Sequence, residues 1–228
     1  MPMSIKEIEI PKYSLGEELW NSISHGLGAL FAVIASIMMM AKVIPSEDPF
    51  KILSAIIYGI CLFIMFVVSC VYHALGKNNG KRVMRILDHD MIFLLVAGCY
   101  TPYTLVALRN VNVWGWGTGV VAYIMLITVW ICCIVGTVFN SINIKKYAWL
   151  SMICYLFAGW VIVGAIVALW NVIGPIGTLL LLLSGVTYSL GTILYGLGKK
   201  VKYMHTIFHF FVLVGAILMF ISIYCFVL

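Results

Sequence analysis

The chain has 228 residues, 64% of them hydrophobic and 10% charged, against roughly 25% charged in an ordinary soluble domain. With a mean hydropathy of +1.11, a water-soluble globular protein is excluded. The formal net charge of +6 comes from bases scattered through short loops between apolar runs. They form neither a stripe nor a tail, so nucleic acid is not implied.

The first 19 residues, MPMSIKEIEIPKYSLGEEL, are mixed in charge and lack the basic, apolar, small-residue order of a cleaved signal peptide. They are expected to form a cytoplasmic segment, with residues 20–228 as one helical domain. Apolar runs of membrane length, about 17–25 residues, follow at 20–42, 51–76, 87–108, 114–139, 147–170, 174–197 and 204–227. The breaks IPSEDP, GKNNGKRVMR, RNVN, NSINIKK, NVIGP and GKKVKY combine Gly, Pro, Asn and charge. The expectation is an all-α bundle of seven transmembrane helices, multi-pass in the cell membrane. No internal repeat points to a duplicated transporter fold. The seven cysteines all lie in apolar runs without a CxxC pair and carry no information on redox compartment.

Orientation follows from Lys and Arg. Eleven fall on the side of the amino terminus and three, Lys42, Lys51 and Arg109, on the other. The positive-inside rule then puts the amino terminus in the cytoplasm and the carboxyl terminus outside. Trp20, Trp114, Trp116 and Trp170 fit an aromatic belt at the interfaces.

Ionisable residues inside a bilayer are costly, so those near helix interiors are functional candidates. Helix two ends at His73, helix three is expected to carry Asp88 in its first turn, and helix seven begins with His205 and His209. All four then reach the cytoplasmic leaflet. His205 and His209 are four apart and share one helix face, a spacing at which two imidazoles can hold one metal ion. HxxxH is more often packing than ligation, and Thr206 in second position excludes an HExxH zincin. What favours a metal is convergence, because His73 lies at the same depth. Three neutral imidazoles plus one water make an open Zn²⁺ site. Ser69 lies one turn before His73, placed to hydrogen-bond that water or a substrate oxyanion. Asp88 and Asp90 are two apart, about 200° around a helix, and spacing does not choose between them. His25 is expected in the headgroup region rather than as a ligand, and His89 at a lipid or loop boundary.

EELWNSISHGLGAL at 17–30, SCVYHAL at 69–75, LDHDMIFLLVAGCYTPYTL at 87–105 and YSLGTILYGLGKKVKYMHTIFHFFVLVGAI at 188–217 together resemble the bacterial hemolysin III family. That family belongs with the progestin and adipoQ receptors and more distantly resembles the alkaline ceramidases. The resemblance covers nearly the whole chain. It implies Zn²⁺ ligands at His73, His205 and His209, Asp88 rather than Asp90 beside the metal's water, and Ser69 as the shared Ser of the group. Glu17, Glu18, Asn21 and His25 fall in the amino-terminal family block, whose role does not follow from the sequence. Met219 stands where many members carry a further His.

Three function classes remain. The first is a metal-dependent hydrolase, taking a membrane lipid amide or ester from the cytoplasmic leaflet, with Zn²⁺ as Lewis acid, Asp88 as base and Ser69 at the oxyanion. The second is a pore-forming cytolysin or channel, which should show polar positions from one leaflet to the other, whereas polarity here stops at one end. The third is a lipid receptor or sensor with a structural metal, which would close its site with a fourth protein ligand. Helix seven has no Lys for a retinal Schiff base, and no carboxylate near the midplane suits a proton-coupled transporter. Oligomeric state is left open.

Overall fold

The computed structural model describes residues 3–228, and among them every regular element is helical. Helix α1 spans Leu15–Val43, α2 Pro49–Ala74, α3 Asn79–Pro102, α4 Val120–Ile142, α5 Ala148–Trp160, α6 Ile166–Leu197 and α7 Met204–Ser222. Six stretches are long and apolar enough to cross a membrane: Leu15–Ser46, Pro49–Ala74, Asn79–Ala107, Val120–Ile142, Ala148–Leu197 and Met204–Val227. The protein is a multi-pass membrane protein.

The fifth stretch has 50 residues. As a straight helix it would be about 75 Å long, far more than the roughly 30 Å of bilayer hydrocarbon. It is not straight. Gly174 sits at φ 72°, ψ 172°, ahead of Pro175, a conformation glycine tolerates and most residues do not. Trp160 donates to the Ser189 hydroxyl at 3.1 Å and Tyr155 meets Thr192. Each pair is nearly equidistant from Gly174 in sequence, so the two halves run antiparallel around that residue.

Two helices begin earlier than hydropathy suggests. Ser14 Oγ accepts from the Glu17 N–H while Glu17 accepts from the Ser14 N–H. This capping box starts α1 at Leu15 and brings Glu17 and Glu18 into its first turn. Asn78 caps α3 through the Lys81 N–H at 2.9 Å. Lys81, Arg82 and Arg85 therefore lie on a helix rather than in a loop, and Asp88 is in the third turn of α3, not the first.

The outward faces are apolar, with Leu27, Leu30, Ile37, Ile127, Val167 and Ile193 exposed, as a lipid-facing surface requires. Inside pack Ala32, Ala35, Tyr58, Leu62, Phe66, Phe93, Val129 and Ala216. Helix α1 touches both α2 and α7, and α7 packs on α6. The start of α1, the end of α2, the starts of α3 and α7 and the end of α6 thus gather at one end of the bundle.

Candidate metal centre

At that end α7 is set in place from two sides. Glu17, already capping α1, also accepts from the Tyr203 N–H at 2.8 Å. Tyr203 is the left-handed residue from which α7 starts, so one carboxylate ties the first turns of α1 and α7. The end of α6 comes so close that a Cβ on Gly198 would lie 2.9 Å from the His205 backbone nitrogen.

His205 and His209 then project inward from the first two turns of α7 toward His73 in the last turn of α2. All three are buried, and one ligand atom from each lies within 4.8 Å of the others. The Nε2 atoms of His205 and His209 are 3.2 Å apart. With N–metal bonds of about 2.0–2.1 Å, two ligands of a tetrahedral ion lie about 3.3–3.4 Å apart. His73 Nε2 is buried and has no hydrogen-bond partner among the described residues. A buried nitrogen without a partner costs about 1–3 kcal/mol, and that atom together with the close Nε2 pair of His205 and His209 suits a cation that accepts imidazole nitrogen.

Ser69, buried one turn before His73, and His73 itself are neighbours of the Asp88 carboxylate. Asp90 points elsewhere: Asn140 Nδ2 and Ser141 Oγ each donate to it at 2.7 Å, from the end of α4. Of the two carboxylates left open by spacing, Asp88 is the one beside His73 and Ser69.

A further layer surrounds the rings. Tyr13 stacks on His205 with centroids 4.8 Å apart. Glu18 Oε2 lies 2.7 Å from His73 Nδ1, and Glu18 Oε1 accepts from Lys81 Nζ at 2.6 Å. Neither Tyr13, Glu18 nor Lys81 stands out by hydropathy, although S-x-x-E at Ser14 and N-x-x-K at Asn78 are cap signals that place Glu18 and Lys81 on helices. His25 does not face outward from the bundle. It is 3% exposed, its ring centroid is 3.9 Å from that of His209, and both its nitrogens lack partners among the described residues. His89 is half-buried against Tyr195, whose hydroxyl is 3.4 Å from its Nε2. Met219 is buried and accepts from the Tyr103 hydroxyl.

The family model for haemolysin-III related proteins matches residues 13–220. The chain belongs to that family. Hemolysin-3 of Bacillus cereus is 32% identical over 212 residues, covering 93% of this chain and 92% of that protein. The Hemolysin-3 homolog of Bacillus subtilis is 32% identical over 215 residues, covering 93% and 96%. A more distant relative is the human monocyte to macrophage differentiation factor, 24% identical over 205 residues, covering 88% and 80%. The hemolysin III match contains the whole histidine cluster together with Glu17, Glu18, Lys81 and Asp88.

Proposed function

We propose that this hemolysin III protein is a seven-span, zinc-dependent hydrolase of a membrane lipid amide or ester, with its amino terminus and its site on the cytoplasmic side. The observation that carries the reading is the convergence of His73, His205 and His209 with Ser69 and Asp88 at one buried end of the bundle. The fold-back at Gly174 supports seven crossings, and the eleven-to-three division of Lys and Arg supports the orientation.

His73, His205 and His209 would hold the ion through their Nε2 atoms. Bound there, Zn²⁺ supplies Lewis acidity toward a carbonyl and lowers the pKa of water toward about 7. Asp88 takes the proton from the attacking water, as a carboxylate placed beside Ser69 and His73 can. The Ser69 hydroxyl donates to the oxygen that gains charge as the carbonyl becomes tetrahedral. Tyr13 and the apolar flanks of α1 and α7 keep bulk water from the rings.

The test is elemental mass spectrometry of detergent-purified protein that has never met a chelator, followed by a screen of lipid amides and esters with Asp88→Asn as control. About one zinc per chain and hydrolysis lost in Asp88→Asn support the reading. Folded protein without stoichiometric metal overturns it.

The bacillus relatives are called hemolysins, which motivates a pore as the second reading. The bundle interior between the two ends is filled by Tyr58, Leu62, Phe66 and Phe93, all buried, so a path would have to lie between copies. Single-channel conductance that survives loss of all three histidines favours the pore.

A further inference from the structure

The half-buried Glu18 and the buried Lys81 form a couple outside the three rings, and we propose that they act as positioning residues that fix which nitrogen of His73 is free for the metal. The inference rests on the metal reading above but concerns the apoprotein as well. Glu18 Oε2 lies 2.7 Å from His73 Nδ1 and Glu18 Oε1 lies 2.6 Å from Lys81 Nζ. Lys81 is 2% exposed. Its ammonium also donates to the Leu75 carbonyl at 2.9 Å and the His73 carbonyl at 3.5 Å, two of the carbonyls left unpaired where α2 ends. Side chain and backbone of the α2 terminus are thus fastened by one lysine from α3 and one glutamate from α1.

The donor inventory decides the tautomer. A carboxylate only accepts and an ammonium only donates, so with Lys81 on Oε1 the other oxygen accepts from His73 Nδ1–H. The lone pair is then on Nε2, which is buried and has no partner among the described residues. Asn21 Nδ2 is 3.4 Å from the same Nδ1. An amide nitrogen cannot donate to an N–H, and the contact 0.7 Å shorter, to Glu18, sets the proton's place. A carboxylate on the outer nitrogen of a metal-binding imidazole both orients the ring and raises its basicity.

Glu18→Gln makes this sharp. Lys81, still donor-only, takes the amide oxygen and turns the amide NH₂ toward His73. Nδ1 must then accept, the proton moves to Nε2, and the nitrogen that should face the metal is blocked. Adding Lys81→Met frees the amide to turn its oxygen back to Nδ1–H, so the second substitution should repair the first.

The experiment is ¹⁵N-histidine NMR of chelated, full-length protein in detergent, paired with Zn²⁺ affinity by chelator competition, on wild type, Glu18→Gln and Glu18→Gln/Lys81→Met. The expected result is wild-type His73 as Nδ1–H. In Glu18→Gln the ring becomes Nε2–H and affinity falls roughly 10–100-fold. The double variant recovers both in large part. An unchanged His73 tautomer in Glu18→Gln, or a double variant no tighter than the single, overturns the inference. Where Glu18→Gln does not fold, Glu18→Ala/Lys81→Met leaves no unpaired charge, and a His73 spectrum still wholly Nδ1–H overturns it equally. If wild type binds no Zn²⁺ in the competition, the hydrolase reading falls, while the tautomer spectra still decide the roles of Glu18 and Lys81.

Discussion

Where α1 ends and α2 begins, Lys42 reaches the Tyr224 carbonyl, Lys51 the Leu228 carbonyl at 2.8 Å, and Arg109 lies 3.2 Å from Asp48. Every one of these cations finds a partner close to the surface. At the other end of the same bundle His25, His73, His205 and His209 are buried, and each keeps at least one ring nitrogen without a hydrogen bond among the described residues. The same chain therefore pairs these three cations where water could have served them, and leaves imidazole nitrogens open where it could not. At about 1–3 kcal/mol for each buried unpaired group, the histidine end carries a cost that these three surface cations do not. The buried Lys81 and the half-buried Glu18 beside it are by contrast paired with each other and with the end of α2.

Removing ligands tests that contrast most directly. His73→Ala, His205→Ala and His209→Ala should each bring metal content from about one per chain to background, read by elemental analysis of folded protein. His89→Ala, outside the cluster, should leave it unchanged.

The two aspartates of LDHD give the next largest effect. Asp88 stands beside Ser69 and His73, so Asp88→Asn should lower the rate of lipid amide or ester hydrolysis by roughly 10²–10⁴-fold, the contribution of a general base, with metal content retained. Asp90 instead accepts two hydrogen bonds from α4. Asp90→Asn should leave turnover within a few-fold and lower stability by about 1.5–3 kcal/mol, the worth of hydrogen bonds to a charged group. Steady-state rates and denaturation midpoints of the pair check both halves, and exchanged phenotypes would contradict the assignment of the two carboxylates.

Much of this arrangement is legible in the sequence because hydropathy dominates. The apolar runs and the cluster of His73, His205 and His209 follow from where a bilayer tolerates charge. The family resemblance supplies what spacing could not, the preference for Asp88. What hydropathy misses are residues whose burial opposes their type. Lys81 reads as one more base in a loop, yet the Asn78 cap draws it onto α3 and under Glu18. His25 reads as interfacial, although α1 starts at Leu15 and carries it nearly three turns along the helix. A windowed average has no access to either, since both depend on caps that set helix starts several residues from the apolar edge. The 50-residue stretch Ala148–Leu197 is the converse case: helical geometry continues almost to Gly174 and resumes after it, and NVIGP marks the reversal better than any loop composition does.

The smallest effect belongs to the paired end. Partial burial pushes the Asp48 carboxyl up, but the Phe50 N–H and the Arg109 guanidinium outweigh it and hold it below the ordinary carboxylate range. A carboxyl lowered in the folded state adds stability above its unfolded pKa, roughly 3.9, and loses it as pH falls through the folded value. Arg109→Gln removes the charged one of the lowering influences and leaves the Phe50 and Lys51 N–H groups. It should cost no more than about 1 kcal/mol at neutral pH, since the pair is partly exposed. The gap to wild type should close as pH falls below about 4, and narrow at neutral pH as added salt screens the pair. Thermal midpoints in detergent across pH and salt check it. A gap of several kcal/mol, insensitive to both, would mean that Arg109 and Asp48 are as deeply engaged as Lys81 and Glu18, and would erase the contrast between the ends.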